Sequence, residues 1–131
     1  MNQFFLYGHS HWRYLLLLFL IIFILKAIIG IIGKKPWGKF DKITARLLPI
    51  AADVQLLQGI IVLVTTEKDL SPFRKFEHPF IMLIAIILLH VGSVFIKKSD
   101  NDTKRFKLVL GFYLSSLLLM LLGIWRITTN A

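Results

Sequence analysis

Apolar residues along this chain gather into four long runs, which shorter polar and basic segments separate. The runs cover residues 12–32, 47–64, 79–96 and 106–127. Each is about 18 to 22 residues long, and a helix of that length crosses a hydrocarbon layer of about 30 Å. The runs are rich in Leu and Ile without the strict alternation of barrel strands. The pattern therefore predicts four membrane-spanning helices.

The connections between the runs are short, so consecutive helices should be antiparallel neighbours. This predicts one domain over residues 1–131, an all-α integral membrane four-helix bundle with up-down-up-down topology. Gly33 and Pro36 are expected to close the first helix. Small residues, which let helices approach closely in lipid, recur on the second and fourth helices. They are Ala45, Ala52 and Gly59 on the second, and Gly111 and Ser115 on the fourth.

The net charge of +9 is concentrated in two of the connections. These cations are Lys34, Lys35, Lys39, Lys42 and Arg46 after the first run, and Lys97, Lys98, Lys104, Arg105 and Lys107 after the third. The positive-inside rule then places both connections in the cytoplasm and both termini outside, in a bacterial inner membrane. The basic loops would attract anionic lipid headgroups, and nucleic acid is not an expected partner. The absence of cysteine excludes thiolate metal sites and iron–sulfur clusters.

Three histidines fall at the end of the predicted bundle that carries the termini. His9 and His11 lie where the first span begins, and His78 lies where the third begins. His78 with either His9 or His11 could supply the two axial ligands of a b-type haem, a flat apolar group that fits between helices. Haem propionates need cations near the water interface, and three arginines suit that role. They are Arg13, Arg74 and Arg126.

The same histidines could instead be solvated or hydrogen-bonded at the membrane surface, or could hold another metal or a proton site. Glu77 precedes His78 and could pair with Arg74 or complement a helix dipole. Gln55 and Gln58 are three residues apart and share one face of the second helix.

A second polar layer is predicted within the spans, nearer the basic loops. Lys26, Asp53 and His90 each lie about six residues from that side, or about 9 Å. Asp53 and His90 could form a hydrogen bond or an ion pair, and Lys26 could join them or extend to the headgroups. The layer could be a structural clamp between helices, a proton or quinone site, or a haem site ligated by His90.

Several short segments carry a family resemblance. They are His9-Ser10-x-Trp12-Arg13-Tyr14-Leu15, Gln55-Leu56-Leu57-x-Gly59 and Arg74-x-Phe76-Glu77-His78-Pro79-x-x-Met82. In these the chain resembles small four-helix membrane proteins of Bacteroidetes that are often labelled cytochrome-b-like. The resemblance implies His9 and His78 as the outer histidines. The family pattern also has a histidine where this chain has Asp53, and usually a non-titratable residue in place of His90.

The main hypothesis is an electron carrier with one b-type haem near the outer face, ligated by His78 and His9 or His11. It would exchange electrons with a quinone or another membrane redox protein and have no independent catalytic activity. One alternative is a haem-free accessory or assembly subunit of a larger complex. Another is a proton-linked channel or transporter component that uses the layer of Lys26, Asp53 and His90, which would need a homo-oligomer.

Overall fold

A computed structural model describes the backbone of residues 2–65 and 77–129 and the side chains of residues 8–65 and 77–126. In this part of the chain the regular structure is entirely helical, without a strand. The elements are α1 (Asn2–Ile32), α2 (Lys39–Thr65), α3 (His78–Lys98), α4 (Asp102–Leu108), a π-helical segment (Val109–Tyr113) and α5 (Leu114–Thr129).

Each of the four predicted spans lies within a helical rod, and every rod extends beyond its span. α4, the π-helical segment and α5 follow one another without a break and together make the fourth rod of the bundle. The stretches that are long and apolar enough to cross a membrane are Gly8–Ile32, Lys39–Thr65, His78–Lys98 and Asp102–Arg126. α1 packs on α2, α2 on α3 and α3 on α5, while α1 also packs against α4 and the π-helical segment. The all-α membrane bundle is therefore confirmed.

The bundle has two chemically different ends. The end where α1 meets α2, and α3 meets α4, carries the basic connections and is called the lysine end here. The opposite end is called the histidine end. It is formed by the first turns of α1 and α3 and the last turns of α2 and α5.

The buried apolar side chains of α1, α2 and α3 lie away from the histidine end. On α1 the buried apolar side chains begin at Leu16, and on α3 they begin at Ala85. On α2 they end at Ala52, which leaves the 13 following residues to Thr65 half-buried or exposed. The α1, α2 and α3 helices therefore fill the bundle interior near the lysine end and contribute no fully buried side chain at the histidine end, among the side chains described.

A proline in α2 explains a hydrogen bond on which the core depends. Pro49 has no N–H, so it cannot bond the carbonyl of Ala45 four residues earlier. The hydroxyl of Tyr113 donates to that carbonyl at 2.6 Å, and the Tyr113 side chain is fully buried. Tyr113 is the last residue of the π-helical segment, where the N–H of Leu114 bonds the carbonyl of Val109. The π-helical turn thus ends at Tyr113, whose hydroxyl satisfies the carbonyl that Pro49 leaves without a helical donor.

Helix α1 ends at Ile32, where the first predicted span also ends. The left-handed conformation that follows the helix falls on Lys34, with φ of 49°, and not on the neighbouring Gly33. Lys35 N–H bonds the carbonyl of Gly30 at 2.9 Å, and Lys34 N–H bonds that of Ile31 at 3.4 Å. This is the Schellman pattern, in which glycine is the usual residue at the left-handed site. Pro36 follows and prevents the helix from continuing.

We expect Lys34→Gly to stabilise the protein slightly, because glycine adopts positive φ without the steric penalty of a side chain. The left-handed penalty of about 1 kcal/mol sets the upper limit of the gain. Unfolding of the purified protein by SDS in mixed micelles would measure it, with Lys35→Gly as the matched control. A Lys34→Gly variant that is less stable than the Lys35→Gly variant would contradict the assignment.

Candidate functional site

The structure separates the two histidines of α1. His11 is exposed, whereas His9 is half-buried against α2. A Cβ on Gly59 would lie 3.0 Å from Cε1 of His9, so the glycine makes the space that the imidazole occupies. The carbonyl of His9 accepts a hydrogen bond from Nε2 of Gln55 at 2.9 Å. His9 is therefore the α1 histidine that lies inside the bundle.

The third histidine of this end lies between α3 and α5. His78 is half-buried, and a Cβ on Gly123 would lie 3.6 Å from its Nδ1 atom. Beside it, Nε of Arg126 lies 2.6 Å from Oε1 of Glu77, so α5 and the start of α3 are joined by an ion pair. The expected partner of Glu77 was Arg74, which lies outside the described residues.

The two interior imidazoles reach the bundle from different pairs of helices. His9 belongs to the seam between α1 and α2, and His78 to the seam between α3 and α5. Both lie at the histidine end, because α1 and α3 both begin there. A group bound between the two helix pairs could therefore be contacted by one imidazole from each.

Four buried polar atoms in the histidine end have no hydrogen-bond partner within the described part of the chain. They are Nδ1 of His9, Nε of Arg13, Oε1 of Gln55 and Oε1 of Gln58. Each such atom normally costs about 1–3 kcal/mol, so a cluster of them is unusual in a finished core. They lie where the apolar packing of α1 and α2 gives way. A site with spare donors and acceptors and loose packing is suited to a bound molecule.

Arg13 already has a neighbour on its own helix. Its Nη2 donates to the hydroxyl of Tyr14 at 3.0 Å, and its guanidinium carbon lies 4.7 Å from the centre of that ring. Arg13 is half-buried and Tyr14 is exposed. The guanidinium is thus held near the surface of the histidine end, where an acidic group of a bound molecule could reach it.

The layer of Lys26, Asp53 and His90 is not one cluster. Nε2 of His90 lies 2.9 Å from both carboxylate oxygens of Asp53, so these two residues do pair. Lys26 instead forms an ion pair with Asp41, a buried residue that the sequence reasoning did not single out. Its ammonium also lies 5.3 Å from the ring centre of Phe40.

Asp41 is held by the start of α2. Its second carboxylate oxygen accepts the N–H of Gly38 at 2.9 Å. An acidic residue three positions after the cap residue is half of a capping box, so Gly38 and Asp41 carried a readable signal in the sequence. The contact with Lys26 carried none, because that residue lies 15 positions earlier.

Comparisons with known proteins do not indicate a function for this site, so its function is inferred from the geometry. No protein-family model, curated protein or solved structure matches the chain. Among the described residues, no group of three or more His, Cys, Asp or Glu side chains is arranged to hold a metal ion. A metal bound by side chains alone would thus have few ligands there, whereas haem needs only axial ones because its porphyrin supplies the rest.

Proposed function

We propose that this protein is a membrane electron carrier that binds one b-type haem at the histidine end. His9 and His78 would be the axial ligands, and a membrane quinone or another redox protein would be the electron partner. The observation that carries the proposal is the pair of interior imidazoles at one end of the bundle, each from a different helix pair. Six-coordinate haem takes one ligand on each face of its plane.

The surroundings of the two imidazoles support this choice. The packing of α1, α2 and α3 is open at this end, and buried polar atoms there lack protein partners in the described part. Arg13 and Arg126 lie at the same end, near the water interface, where propionates would be expected. The bound haem would supply one-electron chemistry, and the chain would supply ligation, orientation and a low dielectric.

The residues divide into distinct roles under this proposal. His9 and His78 would hold the iron, and Gly59 and Gly123 would leave room for the two rings. Gln55 would fix the position of α1 through its bond to the His9 carbonyl. His11 is exposed and is not assigned a ligand role.

An absorption spectrum of gently purified protein, expressed with sufficient haem, tests the proposal. We expect a Soret band and extractable haem b in the unmodified protein, and loss of the six-coordinate spectrum in His9→Ala and in His78→Ala. His11→Ala and His90→Ala are the matched controls and should retain it. Gly59→Ala should alter the spectrum or weaken haem binding, because a methyl group 3.0 Å from Cε1 would displace the His9 ring.

Protein that folds as a helical bundle but contains no haem would overturn the proposal. Haem that persists in a His9→Ala/His78→Ala double variant with an unchanged spectrum would overturn the ligand assignment. Helical circular dichroism of each variant separates loss of ligand from loss of fold.

A further inference from the structure

The hydrogen-bonded pair of Asp53 and His90 lies on the outside of the bundle. Nε2 of His90 lies 2.9 Å from both carboxylate oxygens of Asp53, yet the Asp53 side chain is 49% exposed and the His90 side chain 48%. Both residues face away from the core formed by their own helices. The pair therefore does not fill the interior of one chain.

The pair also lies deep within the spans. Asp53 lies six residues inside the apolar run 47–64, and His90 lies six residues before the end of the run 79–96. At 1.5 Å per residue each is about 9 Å from the lysine-side end of its run, well inside a hydrocarbon layer of about 30 Å. Polar groups that face lipid at that depth are costly, and intramembrane ionisable residues usually face protein or a water-filled cavity. The exposed faces of Asp53 and His90 thus need a cover other than lipid, and apolar residues around them favour protein over water.

The surface around the pair is apolar and regular. Positions three before and four after each of the two residues lie on the same helix face. All four are exposed aliphatic residues, namely Ile50 and Leu57 on α2, and Ile87 and Val94 on α3. Asp53 and His90 are thus a polar centre in an apolar face that runs along two helices.

We propose that this α2–α3 face is the interface of a homodimer within the membrane. Two copies inserted in the same orientation can be related by a two-fold axis along the membrane normal, which leaves depth unchanged. Because Asp53 and His90 contact each other, they lie at nearly one depth. The axis therefore brings Asp53 of each copy to the level of His90 of the other.

The Asp53–His90 pair of one chain is chemically complementary to the same pair in a second copy. An ionised carboxylate accepts several hydrogen bonds, and the contacts within one chain use only Nε2 of the imidazole. When both ring nitrogens of His90 carry a proton, Nδ1–H can then donate to the carboxylate of the second copy. A cluster of two carboxylates and two imidazoles forms, with opposite groups adjacent throughout. This interface is on a different face from the histidine end and does not depend on haem.

Energy transfer between labelled chains in lipid vesicles tests the dimer. The chain has no cysteine, so Lys98→Cys gives a single labelling site at the exposed end of α3. We expect energy transfer that depends on the protein-to-lipid ratio. Asp53→His, which leaves two imidazoles, and His90→Asp, which leaves two carboxylates, should each weaken self-association at least about tenfold, as two lost intramembrane hydrogen bonds imply.

Mixing the two variants provides the decisive comparison. A chain with two imidazoles and a chain with two carboxylates should associate with each other more strongly than either does with itself. Asp102→Asn, which removes the partner of Arg105 on the surface of α4, is the matched control and should leave self-association unchanged.

Three results would overturn the proposal. The first is a monomer at every protein-to-lipid ratio. The second is a dimer that neither Asp53→His nor His90→Asp weakens. The third is association only with a different protein from the membrane. If either variant fails to fold, disulfide formation by Leu57→Cys on the proposed face should exceed that of Leu118→Cys on α5, since both side chains are similarly exposed. Equal or weaker cross-linking at Leu57 would also reject the interface.

Discussion

Replacing Tyr113 by phenylalanine should lower the free energy of unfolding by about 1–3 kcal/mol, the usual cost of a buried polar group that loses its partner. The hydroxyl of Tyr113 donates to the carbonyl of Ala45, and Pro49 deprives that carbonyl of its normal helical donor. The hydrocarbon core of a membrane holds no water that could donate to the Ala45 carbonyl instead. Unfolding by SDS in mixed micelles, followed by circular dichroism, would measure the loss. Tyr14→Phe, at an exposed tyrosine, should change stability much less.

A double variant identifies the cause of this loss. In a Pro49→Ala background, residue 49 has an N–H that can bond the Ala45 carbonyl. Tyr113→Phe should then cost clearly less than it does beside proline. Equal costs in the two backgrounds would show that the lost stability comes from packing rather than from the carbonyl.

Replacing Lys26 by methionine should lower the free energy of unfolding by about 2–4 kcal/mol. This is somewhat below the cost of breaking a fully buried pair, because the lysine side chain is 42% exposed. The carboxylate of Asp41 would remain buried with only the Gly38 N–H as a partner. The same SDS unfolding measurement applies, with Lys42→Met at an exposed position of α2 as the control.

The loss should be smaller when both charges are removed together. Asp41→Asn keeps an oxygen for the Gly38 N–H and removes the negative charge, so Lys26→Met should cost less in that background. The coupling between the two sites should be about 1–3 kcal/mol, as for residues in direct contact. Simple additivity would mean that the ion pair contributes nothing.

The fold was largely predictable because the membrane imposes it. Length and hydropathy of the four runs determine how many helices cross, and short connections determine that neighbours are antiparallel. The stripe of Ala45 and Ala52 was read correctly as packing, since both are buried. Gly111 and Ser115 were read incorrectly, because both are exposed and nothing lies within 4 Å of a Cβ on Gly111.

The error on the fourth rod concerns the direction of a helix face. Gly111 and Ser115 do share a face, since the Ser115 hydroxyl donates to the Gly111 carbonyl, but both residues are exposed. Spacing along one helix does not indicate which of its faces meets the other helices. The glycines that permit close approach are instead Gly30 and Gly92, where a Cβ would lie 2.6 Å and 2.5 Å from atoms of Phe106 and Phe112.

The candidate site was predictable in its position along the chain but less so in its partners. Counting residues placed Asp53 and His90 together, and the structure pairs them. Counting also placed Lys26 with them, because depth alone ignores direction around the helix. The long lysine side chain reaches towards the lysine end and Asp41 instead. Which of His9 and His11 faces inward likewise required the rotation of α1.

The hydrogen bonds that join the helices have a consequence for how this sequence can vary. In four of those within the described residues, a side chain donates to a backbone carbonyl on another helix: Trp12 to Ala51, Gln55 to His9, Tyr113 to Ala45 and Ser116 to Ala85. Every residue type has that carbonyl, so the accepting positions are constrained by size alone. Substitutions can accumulate at them while the donors stay fixed. Divergent copies of this bundle could therefore retain its architecture through a few invariant donors.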